Sequence, residues 1–97
     1  MNEGWDSLSV WSGFLGTVRT PPDHLVQFGR AVRRARRERD MSQEALGRAA
    51  GLDGKHVSEI ERANRDVRFT TLLQLAEGLG LPPSELLVLY AEQRKRS

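Results

Sequence analysis

The sequence contains no cysteine and only two histidines among its 97 residues. Without cysteine, neither a disulfide nor a thiolate-bound metal is available to stabilise the fold. His24 and His56 lie 32 positions apart in different segments, so a structural zinc site built on histidine is not expected. No cofactor is predicted.

Long apolar runs are missing too. The apolar stretches are a few residues long, far short of the roughly 20 residues that a membrane-spanning helix needs. Near the start of the chain, Glu3 and Asp6 stand where a signal peptide carries basic residues. These absences predict a single small domain that works in the cytoplasm without membrane contact.

The residue patterns of common enzymes are also absent. There is no cysteine nucleophile, no carboxylate pair near a histidine at active-site spacing, and no glycine-rich phosphate loop between a strand and a helix. We therefore do not expect an enzyme.

Positive charge, in contrast, is concentrated in the middle of the chain. Residues 30–68 hold eleven Lys or Arg and seven acidic residues, a net charge of +4, whereas the whole chain carries +2. A basic segment attracts polyanions such as nucleic acid, although a charge run is more often only a solvated helix face.

Five segments after Pro21-Pro22 have apolar residues at the three- and four-residue spacing of helices. The predicted helices cover about 23–39, 43–50, 54–62 and 70–78, with a fifth after Pro82-Pro83. The predicted N-caps are Asp23, Ser42, Asp53 and Ser84. No window alternates apolar and polar residues for long enough to predict a strand, so an all-α domain is expected.

Residues 43–62 place two short helices around a glycine turn. Gly51 follows the first of them, where a positive φ is needed. Gly47 sits one turn earlier, where the two helices must approach closely. Leu46, Val57 and Ile60 are expected to fill the wedge between the helices. This arrangement leaves the outer face of the second helix free.

The chain from about Phe28 to Leu87 resembles the Cro/repressor helix-turn-helix family, also called the XRE family. The matching residues are Phe28-Gly29, Val32, Arg36, 41–46, Gly51-Leu52, 57–62, Arg65 and 72–81. The stretch Ile60 to Leu75 is also similar to the controller proteins of restriction–modification systems. The resemblance implies a compact five-helix bundle of the lambda repressor type over 21–92, with an N-terminal arm over 1–20 and a basic tail over 93–97.

The sequence departs from the family pattern at several positions near helix ends. Ala63 stands where the family usually has glycine, so the third helix is expected to run one residue further and end at Asn64. Arg68 replaces the usual serine cap of the fourth helix, and Thr71 with Gln74 is expected to form a substitute capping box.

The resemblance implies that the helix over 54–62 enters the major groove of DNA. The predicted base-reading residues are Lys55, His56, Ser58 and Glu59. For His56 the alternative is an exposed helix residue without a role in binding. The predicted phosphate contacts are Gln43, Arg62, Asn64, Arg65 and Arg68. Gly54 takes the first exposed position of this helix, where relatives often carry a base-reading side chain. This helix is therefore expected to have one base-reading side chain fewer than its relatives.

The resemblance further implies a partly buried, bidentate ion pair between Arg36 and Glu61 that fixes the recognition helix. One such unit reads only a few base pairs, so a homodimer on a palindromic operator is expected. The predicted dimer interface is Leu87, Leu89 and Tyr90, with Val88 as a further candidate. The alternative is that these residues all pack on their own core.

Together these features predict a sequence-specific DNA-binding transcriptional regulator, a dimeric repressor or autoregulator. The alternative is a protein-binding module of the same fold, such as an antitoxin or a transcriptional bridging factor. The N-terminal arm leaves two interpretations open, because Trp5 and Trp11 are costly to leave in water. The arm packs on its own domain or dimer mate, or residues 5–18 dock on another protein.

Overall fold

The computed structural model describes residues 20–96, so residues 1–19 of the predicted arm and Ser97 lie outside the described residues. Five helices follow one another: α1 Asp23–Glu38, α2 Gln43–Ala50, α3 Gly54–Glu61, α4 Phe69–Leu79 and α5 Pro83–Arg96. Residues 20–96 contain no strand, so the all-α prediction is confirmed. None of these helices is long and apolar enough to cross a membrane. α5 continues to Arg96, so residues 93–96 of the predicted basic tail are helical.

The helices enclose one apolar core. α1 packs against α5 and α3, and α2 packs against α3 and α4. The largest fully buried side chains come from all five helices: Val32, Leu46, Val57, Ile60, Leu75 and Leu86. Helices as short as α2 and α3 are marginal in isolation, so this packing supplies most of their stability.

Side chains cap the two helices of the helix-turn-helix as predicted. The Ser42 hydroxyl accepts a hydrogen bond from the Ala45 amide at 2.9 Å. The Asp53 carboxylate accepts one from the His56 amide at 2.8 Å. Each bond satisfies an amide that has no partner within its own helix.

The other predicted N-caps were wrong. α1 begins after Pro22 without a side-chain cap, and Asp23 is its first helical residue. Pro83 is the first residue of α5, which places Ser84 inside that helix. For α5 the proline provides the reason, because its fixed φ and missing N–H suit the first helical position.

The capping box predicted for α4 is also absent. α4 begins at Phe69 after Arg68, one residue earlier than expected, and no side chain caps it. Thr71 is buried. The Gln74 amide donates to the Ala50 carbonyl oxygen at 3.2 Å, so it serves the unpaired C-terminal carbonyls of α2 instead.

Two helix ends turn on residues other than glycine. Ala63 has a φ of 59° and Asp40 a φ of 52°. The prediction that α3 would run on to Asn64 was therefore wrong, since Arg62 is the C-cap and Ala63 itself turns left-handed. The Asn64 amide donates to the Glu59 carbonyl at 2.8 Å, which closes the turn and offsets a cost of about 1–2 kcal/mol.

Two glycines permit close helix approach. A Cβ on Gly47 would lie 2.7 Å from the Leu52 carbonyl oxygen and 2.9 Å from the carbonyl carbon of Asp53, so the close approach predicted between the two helices falls on the turn that joins them. A Cβ on Gly29 would lie 2.6 Å from the carbonyl oxygen of Ile60 and 2.7 Å from that of Glu61. Gly29 thus brings α1 against the end of α3.

We expect Gly29→Ala to lower the free energy of unfolding by about 1–3 kcal/mol, because backbone atoms must move to admit the methyl group. The loss occurs although alanine favours a helix by about 1 kcal/mol. Urea unfolding followed by circular dichroism measures the effect. The exposed neighbour Arg30 provides the control, since Arg30→Ala should change stability by less than about 0.5 kcal/mol. Equal stability of the two variants would contradict the close approach.

Candidate nucleic-acid interface

α3 presents one face to the core and the other to solvent. Val57 and Ile60 are buried, as predicted. Lys55 is exposed, and His56 and Ser58 are half-exposed on the outer side. The part of α3 expected to read bases is therefore not covered by residues 20–96.

The angle between α2 and α3 is set by the turn that joins them. Gly51 has a φ of 77°, which costs little without a side chain. The Leu52 amide donates to the Gly47 carbonyl at 2.7 Å and completes the end of α2. Leu46, with no exposed surface, fills the space between the helices.

The end of α3 is held by the predicted ion pair. Arg36 Nε lies 2.6 Å from Glu61 Oε2, and Arg36 Nη2 donates to Glu61 Oε1 at 3.0 Å. The Glu61 side chain has no exposed surface and that of Arg36 is 11% exposed. The third guanidinium nitrogen donates to the Met41 carbonyl at 2.8 Å, so Arg36 ties together α1, the segment that leads into α2 and the end of α3.

Two further residues join this cluster that sequence reasoning did not place there. The Gln43 side-chain amide donates to Glu61 Oε1 at 3.0 Å, and Arg33 Nε lies 3.5 Å from the same oxygen. Gln43 had been predicted only as a phosphate contact. Because an amide carries two N–H donors, the bond to Glu61 fixes the direction in which the second one points.

The pKa of Glu61 reflects this surrounding charge. Burial on its own raises the pKa of a carboxyl, because removal from water disfavours the ionised form. The hydrogen bonds from Arg36 and Gln43, with the attraction of Arg36 and Arg33, outweigh burial and hold the pKa of Glu61 below its ordinary value. Glu61 is therefore ionised at neutral pH.

Two of the predicted DNA contacts are bonded to each other. Arg65 Nη1 donates to Glu59 Oε1 at 2.9 Å, with the arginine side chain 45% exposed and the glutamate 27% exposed. Sequence reasoning assigned Glu59 to a base and Arg65 to a phosphate, and it missed this pair. Their separation of six residues across a turn gave no helical spacing that signals such a contact.

Three predicted DNA contacts surround one polar cleft. A depression of about 230 Å³ is lined by His56, Arg65, Asp66, Arg68 and Thr71. It lies at the first turn of α4, where helix amides have no partner within the helix and the helix dipole favours an anion. Asn64 and Arg62 are also exposed.

The predicted dimer residues divide into two groups. Leu87 and Val88 are 45% and 50% exposed. Leu89 and Tyr90 are partly buried and pack against the core, which agrees with the alternative interpretation for these two. Sequence reasoning missed Phe69 and Leu73 of α4, which are 73% and 38% exposed. An apolar residue just before the expected start of α4 was the only signal for Phe69.

The fold and the exposed α3 define a helix-turn-helix protein, and comparison with known proteins agrees. A family model described as a helix-turn-helix domain matches residues 27–89. The control protein C.MunI of a Mycoplasma species is 35% identical over 65 residues, which cover 66% of this chain and 88% of C.MunI. The control protein C.BamHI of Bacillus amyloliquefaciens is 36% identical over 61 residues, 62% of this chain and 75% of that protein.

A solved structure gives the same result. The restriction–modification controller protein C.AhdI from Aeromonas hydrophila matches with a TM-score of 0.62 and 40% identity, covering 64% of this chain and 94% of that chain. The chain belongs to the helix-turn-helix domain family. Within that family it is of the XRE type and resembles the restriction–modification controller proteins, as the residues from Ile60 to Leu75 had indicated.

We expect Glu61→Ala to lower the free energy of unfolding by about 3 kcal/mol, because the substitution leaves Arg36 partly buried without its partner. The melting temperature should fall by more than 10 °C, at roughly 4–8 °C per kcal/mol for a domain of this size. The matched control is Glu38→Ala, which removes the exposed partner of Arg34 and should cost less than about 1 kcal/mol. An unchanged melting temperature for Glu61→Ala would refute the structural role.

The contribution of Glu61 to the free energy of unfolding depends on pH. Because its folded pKa is lowered, its contribution is complete above the ordinary glutamate pKa of about 4.3 and is lost as the pH falls through the lowered value. The melting temperatures of the wild type and Glu61→Gln should therefore converge as the pH falls below about 4.3. A difference that is constant with pH would show that the charge of Glu61 is not what stabilises the fold.

Proposed function

We propose that this helix-turn-helix protein, a DNA-binding transcriptional regulator, binds a palindromic operator as a homodimer and represses transcription or controls its own gene. It does so in the cytoplasm and performs no catalytic step. The proposal depends on one observation. α3 is held at both ends, by the Asp53 cap and by the Glu61 cluster, while its outer face stays open.

In this proposal α3 lies in the major groove and its outer side chains read bases. A helix of about 10–12 Å diameter fits that groove. Lys55 donates to guanine O6 or N7, and Glu59 accepts from cytosine N4. His56 and Ser58 contact a base or a phosphate. Arg65 holds the Glu59 carboxylate at 2.9 Å, which restricts the positions from which that carboxylate can meet a base.

The phosphate contacts lie on either side of α3. Gln43 uses the amide hydrogen that Glu61 does not occupy, together with the free amides at the start of α2. Arg65 and Arg68, around the cleft at the first turn of α4, bind the neighbouring phosphates. Arg62 and Asn64 are exposed beside them and complete the set. These contacts position the protein without reading sequence.

The dimer forms through the exposed apolar side chains of α4 and α5. Leu87 and Val88, with Leu73, form the contact surface. Leu89 and Tyr90 support it from the core side. A two-fold axis there places two copies of α3 about 34 Å apart, the spacing of successive major grooves on one face of the duplex.

The second candidate function is a protein-binding module of the same fold, as in antitoxins or transcriptional bridging factors. The expectation that Gly54 leaves an exposed reading position empty supported this candidate, but Gly54 is half-buried. A Cβ there would lie 3.0 Å from Glu44 Cγ, so close packing against α2 accounts for the glycine. A weakly selective protein would bind random and selected duplexes equally at physiological salt. A sequence preference that survives at that salt concentration identifies a specific regulator.

Selection of preferred sites from a random DNA pool tests the function directly, and two variants separate the two kinds of contact. Lys55→Ala should lower the preference for the selected site over random DNA by about 1–3 kcal/mol. Arg68→Ala should weaken binding to both and reduce the slope of log K against log salt by about 0.9.

The control is Arg94→Ala on α5, a helix that packs on α1 and α4. Arg94 is exposed, and this variant should bind as the wild type does. A selected site without two-fold symmetry would contradict the dimer. Equal losses for all three variants would contradict the proposed groove contacts.

A further inference from the structure

We propose that residues 1–19 of this chain dock, through their tryptophans, in an apolar groove beside the start of α1 of the same molecule. The groove lies between α1, the segment joining α3 to α4, α4 and α5. It has a volume of about 320 Å³, within the range of pockets that bind small apolar groups. The proposal does not depend on DNA binding.

The groove has the walls of an aromatic binding site. Its apolar lining includes Leu25, Phe28, Phe69, Leu72, Leu87 and Tyr90. The rings of Phe28 and Tyr90 are tilted by 57° with centroids 6.5 Å apart, an arrangement that a further aromatic ring can extend. Phe69 is 73% exposed, which is costly unless another group covers the ring.

The chain itself delivers an occupant to this place. The Pro22 carbonyl accepts hydrogen bonds from the Leu25 and Val26 amides at 3.0 and 3.2 Å, which fixes where the preceding residues join α1. Leu25 is also a wall of the groove. Residues 1–19 are therefore tethered at the edge of the groove, and a short tether gives an effective concentration in the millimolar range.

The chemistry of residues 1–19 suits the groove. Trp5, Leu8 and Trp11 recur at three-residue spacing, and each tryptophan has about 150–250 Å² of surface to bury. Glu3, Asp6 and Arg19 give residues 1–19 a net charge of −1. The groove lining carries Arg68 and Asp66, which are of opposite charge, so the match between segment and groove depends on apolar surface and not on charge.

Intrinsic fluorescence isolates this segment, because Trp5 and Trp11 are the two tryptophans of the sequence. We expect the native protein to emit at shorter wavelength than the urea-unfolded chain and to be quenched several-fold less by acrylamide. Phe69→Asp, which puts a charge into the groove, should move both properties most of the way to their unfolded values. Circular dichroism and the melting temperature verify that this variant is folded.

Leu73→Asp is the matched control. Leu73 lies one turn further along α4, is 38% exposed and is not part of the groove lining. It belongs to the proposed dimer surface, so this variant should weaken the dimer and leave the tryptophan emission unchanged. Dilution to the monomer, verified by light scattering, should leave the emission unchanged too.

Three results would overturn the proposal. The first is native emission and quenching already equal to those of the unfolded chain. The second is native emission that Phe69→Asp does not alter. The third is a shift in emission after Leu73→Asp or dilution that is as large as the shift after Phe69→Asp. That result would mean that the tryptophans are buried in contact with a second copy of the chain. None of these readouts involves DNA, so failure here is separate from failure of the proposed regulator function.

Discussion

The position of α3 depends on the hydrogen bonds that the buried carboxylate of Glu61 accepts. It accepts hydrogen bonds from Arg36 of α1 and Gln43 of α2, with Arg33 at 3.5 Å. Desolvating one carboxylate is costly, and several donors are needed to offset it. Because those donors come from two other helices, one charge holds the end of α3 to both of them. The outer side of α3, which is proposed to face DNA, is therefore not needed to hold the end of the helix.

The same cluster joins stability to recognition. Gln43 contacts Glu61 with one amide hydrogen and is proposed to contact a phosphate with the other. A change at Glu61 therefore affects the fold and the phosphate contact together, which is why stability and DNA binding have to be measured separately in every variant. The Glu59–Arg65 pair, by contrast, is exposed, and an exposed pair contributes little to stability. In the proposed DNA complex this pair restricts the position of the Glu59 carboxylate.

The exposed apolar surface of α4 and α5 has two parts that share one residue, Leu87. Leu73 and Val88 face solvent without lining the groove, whereas Phe69 lines it beside α1. Leu87 is exposed and belongs to both parts. This division allows one copy to form a dimer through α4 and α5 while its own N-terminal residues cover the groove. Because Leu87 belongs to both parts, substituting Leu87 alone cannot separate the dimer contact from the docking of the N-terminal residues.

The sequence by itself determined what short-range chemistry controls. Ser42, Asp53 and Gly51 set the limits of α2 and α3 because each acts on atoms within a few residues, and the family pattern located the Arg36–Glu61 pair. Tertiary structure determined the hydrogen-bond partner or backbone conformation of residues whose local pattern predicted something else. Gln74 bonds to Ala50 rather than capping its own helix, and Ala63 turns left-handed because backbone bonds and burial hold it there. Partners brought together by folding leave no periodic trace in the sequence, so only the structure identifies them.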